Sequence, residues 1–299
     1  MREDIAFASG GGTLRGWLYR PTGRPRPAPG IVVSHGFSAV KEQGLAAFAE
    51  WFRTAGFVVL VFDYRHLGSS DGADRGRIIP QEQHDDLRAA VTYLSSVDGV
   101  DPERIGVWGT SYSGGHALFV GALDPRIRCI VAQAPAISVA RSLIALAGEE
   151  GFRGYLGLFA QDHAARQSGA PSGRLPIVAP DEGPAVLATP DAFAWFTGTA
   201  AAAGGRWVNS TSIESVARMA EYLPAAFIDL AAPKPLLIIA GESDALIPIA
   251  QVRDAFERAG EPKQLVSLPC GHFDFYPGEP FHEVAASSAE GWFVRWLQP

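Results

Sequence analysis

Two hydroxyls sit among glycines in the stretch GVWGTSYSGGHAL, residues 106–118. Ser111 follows an apolar run, with Gly109 two positions before it and Ser113 two positions after it. A serine hydroxyl is a weak nucleophile until a base takes its proton and fixed donors receive the charge that develops on the attacked oxygen. A strand that turns sharply into a helix supplies that setting. It holds the serine out into a cleft, and the positions two before and two after must then be small. Arg104–Trp108 reads as the strand, and Gly114 and Gly115 let the helix close in. Ser113 also has small neighbours, Ser111 and Gly115, but it falls two residues past the strand, already inside the helix. Ser111 is the expected nucleophile.

A base and an acid follow in the chain. In PLLIIAGESDALIP, Asp244 lies just past an apolar strand, with Glu242 as its competitor. In LPCGHFDF, His272 lies just past the last strand. Serine, then aspartate, then histidine, each after its own strand, is the chain order of α/β-hydrolase-type triads. The loop AQAPAI at 132–137 contains no carboxylate, so no acid is offered there. His66 and His84 precede the nucleophile, and His116 lies one turn along its helix, where it is expected to pack on the sheet. SHGFS, residues 34–38, ends an early strand, and Gly36 lets the backbone turn so that an N–H faces the serine. The backbone N–H groups of Phe37 and Tyr112 are the expected oxyanion donors. No metal-ligand spacing and no phosphate-cradling glycine motif stands out, so neither a metal nor another cofactor is expected.

Positioning these residues takes strands that end together at one edge of a sheet. Strand candidates are 13–19, 30–34, 57–63, 104–109, 127–133, 235–240 and 263–268, with 6–9 pairing back on 13–19 through GGG as an edge hairpin. The central ones are nearly continuously apolar, as a parallel strand covered on both faces requires. Amphipathic helices alternate with them at 41–55, 81–95, 248–259 and 281–297. Pro248 suits a first helical turn. Strand–helix alternation of this kind reads as an α/β domain. The Pro-rich stretch at 20–30 reads as an extended loop entering the sheet.

One segment breaks the rhythm. Residues 136–227 separate two strands by about 90 residues, where a helical crossover needs roughly 30. Helical patterns run over 138–149, 151–167 and 212–222, with Thr211 and Glu214 spaced as a capping box. A long ordered insertion is more often a binding element than a linker. It reads as a mostly helical cap. Among its aromatics, Phe159 and Trp195 are the residues expected to line a pocket.

Composition bounds the rest. A chain of 299 residues buries about 75% of its unfolded surface, a core that needs no staples. Its net charge of −7 and lack of a basic cluster argue against nucleic acid, whose affinity rests on Lys and Arg. No apolar run approaches the ~18 residues of a membrane span, and MREDIAFASGGG lacks the apolar stretch of a secretory signal. A cytoplasmic protein with no membrane partner is expected, and a homodimer stays open. Two cysteines, Cys129 and Cys270, make no disulfide framework.

As a set, SHGFS, FDYRHLGSSDG, GTSYSGG, GESDALIP and GHFDF resemble the recurring blocks of the α/β-hydrolase superfamily, over nearly the whole chain outside the cap. The Gly-x-Ser-Tyr-x-Gly form is similar to that of X-Pro dipeptidyl-peptidase and cocaine-esterase-like enzymes. The HGF and GxxD blocks resemble dienelactone-hydrolase-like esterases. The chain departs from the first group: it lacks the length for their C-terminal β domain, and Phe37 has no side-chain hydroxyl to donate to an oxyanion. The resemblance implies a mostly parallel eight-stranded sheet flanked by helices. The core would span 1–135 and 228–299, with the helical cap at 136–227 inserted before the last two strands. It implies a serine hydrolase acting on a small carboxylic ester, thioester or lactone, with Ser111 attacking, His272 as base and Asp244 orienting it. An acyltransferase using the same acyl-enzyme is the alternative, with an amidase or peptidase, or a binding protein on the same scaffold, behind it. The implied sheet order also sets strand 127–133 two strands from 263–268. That is over about 9 Å, too far for Cys129 and Cys270 to pair.

Overall fold

The computed structural model describes residues 2–23, 27–180 and 183–298. Its strands are buried on both faces, and their alternation decides what covers each side. In β3 (Ala28–Ser34), Ile31 and Val33 meet Phe48, Phe52, Trp108 and Phe293, while Val32 turns to Leu87, Val91 and Leu118. Each strand of this kind needs helices above and below. The first face is covered by α1 (Leu45–Thr54) and α8 (His282–Leu297). The second is covered by α2 (Pro80–Ser96), α3 (Tyr112–Leu123) and α7 (Ile249–Arg258).

Eight strands form the sheet. They are β1 (Arg2–Ser9), β2 (Gly12–Tyr19), β3, β4 (Val58–Phe62), β5 (Val100–Thr110), β6 (Ile127–Gln133), β9 (Leu236–Gly241) and β10 (Lys263–Leu268), in the order β1-β2-β4-β3-β5-β6-β9-β10. Pairings of β1 with β2 and of β2 with β4 are antiparallel, and the others are parallel. The chain runs outward from β3 to β4 and then returns to β5 on the opposite side of β3. A crevice opens at the carboxyl ends of the strands at such a reversal. SHGFS leaves β3 and Ser111 leaves β5 there. Strand β9 lies between β6 and β10, and Cys129 and Cys270 are free and buried, as the expected sheet order requires.

Between β6 and β9 the chain forms α4 (Val139–Gln167), a two-stranded pair of β7 (Arg174–Leu175) and β8 (Thr211–Ser212), α5 (Pro190–Thr199), α6 (Ile213–Ala220) and a 3-10 helix (Pro224–Ala231). The two helices expected at 138–149 and 151–167 run into one another and meet at Gly148, whose φ of 71° breaks the helical path. The expected Thr211–Glu214 capping box does not form. Ser212 caps α6 by accepting from Ser215 N–H at 3.1 Å, and Thr211 instead donates to the Gly76 carbonyl at 2.7 Å. Helix α5 was not expected. These elements are bonded to the core through Gln43 Nε2 to Thr199 Oγ1 (2.8 Å) and Ile78 N–H to Ser215 Oγ (2.8 Å).

Two further boundaries differ from expectation. Pro248 precedes α7 as its capping residue, and 41–44 form turns before α1. Strand β3 begins at Ala28, so the Pro-rich connection ends earlier than 30, and its residues 24–26 lie outside the described residues. Among the described residues no helix is long and apolar enough to cross a membrane.

Candidate active site

The turn between β5 and α3 is strained at one residue. Ser111 has φ 58° and ψ −121°, a backbone that L-residues rarely adopt. Three main-chain hydrogen bonds hold it there: its N–H donates to Gln133 O (2.8 Å), and its carbonyl accepts from Ala136 (3.0 Å) and Gly115 (3.2 Å). A Cβ on Gly109 would fall 2.0 Å from the Ser113 carbonyl, so the strand and helix approach this closely only with glycine there. Ser113 points away from the cleft. It donates to the carbonyl of His35 and lies 3.0 Å from Tyr64 Oη, deep in the core.

Ser111 Oγ lies 2.9 Å from His272 Nε2, and His272 Nδ1 lies 2.6 Å from Asp244 Oδ2. An ionised carboxylate only accepts, so the proton of the neutral ring sits on Nδ1 and Nε2 is left to accept the serine proton. The other oxygen of Asp244 accepts from the N–H groups of Leu246 (2.9 Å) and Ile247 (2.8 Å), which fixes the carboxylate at the mouth of β9. Glu242 is turned outward to Ser267 Oγ (2.8 Å) and does not meet His272. Cys270 is beside the site, but burial pushes its thiol up to about 12, so it stays protonated. His84 and His116 lie apart from the serine. The Nδ1 of His116 and the Nε2 of His84 both contact Tyr222 Oη, at 3.0 and 2.8 Å, and His116 Nε2 contacts Gln83 Oε1 at 2.9 Å.

The loop after β3 approaches the serine closely. A Cβ on Gly36 would be 3.0 Å from Ser111 Cβ and 3.4 Å from its Oγ. Phe37 and Tyr112 face one another with ring centroids 5.8 Å apart. Tyr112 opens α3, where an N–H has no carbonyl one turn back to bond. A buried ion pair supports this loop, and single-residue reading of the sequence missed it. Asp63 accepts from Lys41 N–H (2.8 Å), Lys41 Nζ (2.6 Å) and Ser69 N–H (2.8 Å). Its signal was a carboxylate closing the apolar run VVLVFD, a position where burial demands a partner.

The sequence matches the family model described as the alpha/beta hydrolase fold over residues 29–279. The chain belongs to the α/β-hydrolase family. It is 30% identical over 297 residues to the quorum-quenching protein AidA of Acinetobacter baumannii, covering 99% of this chain and 95% of that one. It is 32% identical over 290 residues to the polyketide transferase ATR5 of Stachybotrys chlorohalonatus, covering 93% and 92%. The crystal structure of the α/β-hydrolase GrgF from Penicillium sp. sh18 superposes with a TM-score of 0.84 at 27% identity, covering 99% of both chains. The match is to the superfamily and does not reach the dienelactone-hydrolase-like or X-Pro dipeptidyl-peptidase-like branches.

In this α/β-hydrolase, Ser111 and His272 open into a pocket whose wall is almost wholly apolar. The core supplies Phe37, Leu246, Ile247 and Phe273, and the segment between β6 and β9 supplies Val139, Leu143, Leu146, Val186, Leu187 and Met219. Trp195 lines it, stacked on Phe273 at 5.2 Å and against Tyr276 at 4.6 Å. Phe159 does not. It stacks on Tyr155 (5.9 Å), in the part of α4 that lies beyond the Gly148 break. Phe196, on the same short helix as Trp195, takes a place on the wall instead.

Proposed function

We propose that this α/β-hydrolase cleaves a carboxylic ester, thioester or lactone through an acyl-enzyme on Ser111. His272 Nε2 takes the serine proton as Oγ attacks the carbonyl, and Asp244 stabilises the imidazolium that forms. The tetrahedral oxyanion rests on the N–H groups of Phe37 and Tyr112. His272 returns the proton to the leaving group and then activates water to release the acyl chain. The observation that carries this reading is the continuous chain Ser111–His272–Asp244 at 2.9 and 2.6 Å, opening into an apolar pocket. The pocket supports a small acyl substrate with an apolar chain.

A second reading has one specific support: the chain is 32% identical to a polyketide transferase over most of both lengths. The same acyl-enzyme would then deliver its acyl group to an alcohol or amine. One experiment tests both. Ester, thioester and lactone substrates are incubated with and without an acceptor, and products are read by mass spectrometry. Free acid in every arm supports hydrolysis, and acceptor adducts that suppress free acid support transfer. Turnover that persists in Ser111→Ala overturns the acyl-enzyme itself.

A further inference from the structure

One hydroxyl stands in the apolar wall of the pocket with nothing to bond. Ser142 lies in the first turns of α4 and lines the pocket. Its Oγ is buried from solvent and makes no hydrogen bond among the described residues. Serine and threonine within a helix ordinarily return the hydroxyl to a carbonyl one turn back. Thr54, Thr92, Thr197 and Ser288 of this chain do so, at 2.8, 2.9, 2.6 and 2.7 Å. Ser142 does not, although the Ser138 carbonyl below it is within reach of its own N–H at 3.1 Å. A buried hydroxyl without a partner costs free energy that alanine in the same place would avoid. Its neighbours on that stretch of wall, Val139, Leu143 and Leu146, have apolar side chains and offer it no partner. Tyr112 Oη is the other unpartnered buried atom on a pocket-lining residue, and its ring is enclosed by Phe37, His116 and Tyr222. The Ser142 side chain is one carbon long, so its oxygen lies at the wall itself.

We infer that Ser142 Oγ is a specificity determinant that receives an oxygen substituent, a keto or hydroxyl group, carried on the acyl chain of the substrate. The inference rests on the pocket being the acyl site of the proposed reaction. A hydroxyl can donate to a ketone or exchange hydrogen bonds with an alcohol, so it serves both. An unsubstituted chain would leave it unpaired, and that asymmetry is the source of discrimination.

The test uses N-acetylcysteamine thioesters of one chain length, unsubstituted or bearing a single keto or hydroxyl group at successive carbons. The ratio of kcat/KM, substituted over unsubstituted, is expected to peak at one carbon at about tenfold and to fall close to one in Ser142→Ala. A flat ratio in the wild type, or a peak that survives in Ser142→Ala, overturns the inference. Failure of the acyl-enzyme reads differently, as no thioester turnover and no fluorophosphonate adduct on Ser111. The question is then answered by calorimetry of the corresponding free acids on Ser111→Ala. Tighter binding of one oxygenated acid, by about tenfold and lost in the Ser111→Ala/Ser142→Ala double variant, sustains the role of Ser142. Equal binding of all the acids overturns it.

Discussion

Ser111 and Ser113 are chemically the same and two positions apart, and their backbones separate them. Ser111 holds a positive φ that three main-chain hydrogen bonds maintain, while Ser113 is spent on His35 and Tyr64. Ser111→Ala is expected to abolish fluorophosphonate labelling and to lower kcat by about 10⁴–10⁶. Ser113→Ala is expected to keep the adduct on Ser111. It removes the donor to the buried His35 carbonyl and one of the partners of the Tyr64 hydroxyl, so urea denaturation should show a loss of about 1–3 kcal/mol. Peptide mapping of the adduct checks the first claim, and an adduct on Ser113 would reverse the assignment. The elbow at Ser111 was legible because crowding at such a turn acts over two residues. The partners of Ser113 were not, since Tyr64 and His35 are far away in sequence and such a bond leaves no local pattern.

Helices that pack one regular face on the sheet were legible, and those that line the pocket were less so. Leu87, Val91 and Leu94 announce α2 through their spacing. Helix α5, PDAFAWFTGT, is short and carries apolar residues most of the way round, because Ala192 is buried in the core while Trp195 and Phe196 both line the pocket. Its start could have been read from Thr189, which caps the helix, followed by Pro190 in the first turn. Phe159 misleads for another reason: an aromatic residue in the insertion does not show that α4 breaks at Gly148, with Phe159 beyond the break and off the pocket wall. Trp195→Ala is expected to raise KM for long-chain acyl esters by about 10- to 100-fold, the worth of a large aromatic contact surface. The loss for an acetyl ester should be several-fold smaller. Equal losses on both would remove Trp195 from chain recognition.

At the scale of the molecule, the segment between β6 and β9 is bonded into the hydrolase core. Tyr222 of that segment contacts the histidines of α2 and α3, and burial lowers His84 to about 3 and His116 well below its usual range. Gln83 Oε1 accepts from His116 Nε2, which leaves His116 Nδ1 to accept from Tyr222 and Tyr222 Oη to accept from His84. The His84 and His116 rings of this relay are neutral. The unfolded chain binds protons on these residues below about pH 6.5, whereas the folded chain binds one on His84 only near about 3 and resists binding one on His116 until well below its usual range. Stability is therefore full above about pH 6.5 and is lost as pH falls from there toward 3. His84→Gln keeps a donor to Tyr222 and cannot titrate, so its urea midpoint should fall less steeply over that window. A parallel fall in both proteins would exclude His84 as a source. Unfolding should also be one transition by circular dichroism and by tryptophan fluorescence, because Trp108 lies in the sheet and Trp195 lies over the site. The α/β class and the edge where Ser111, Asp244 and His272 gather were readable from alternation and chain order, and the order of strands from the family resemblance. The stitching was not, because it runs through single long-range bonds such as Gln43 to Thr199.

The two unpaired thiols make the protein its own clock. Cys129 is enclosed in the middle of the sheet, and burial drives its thiol well above the usual range. Cys270 closes the loop that carries His272, where its carbonyl accepts from Ser243 N–H at 3.0 Å. Alkylation needs a thiolate in contact with reagent. Cys129 can be reached only when the whole sheet opens, and Cys270 can be reached when that one loop lifts. In native buffer, iodoacetamide should modify Cys270 first, at a rate that a substrate-like inhibitor slows. Cys129 should follow the rate of global unfolding. The interval between the two modifications, read by peptide mass, then measures how much more often the histidine loop breathes than the molecule comes apart.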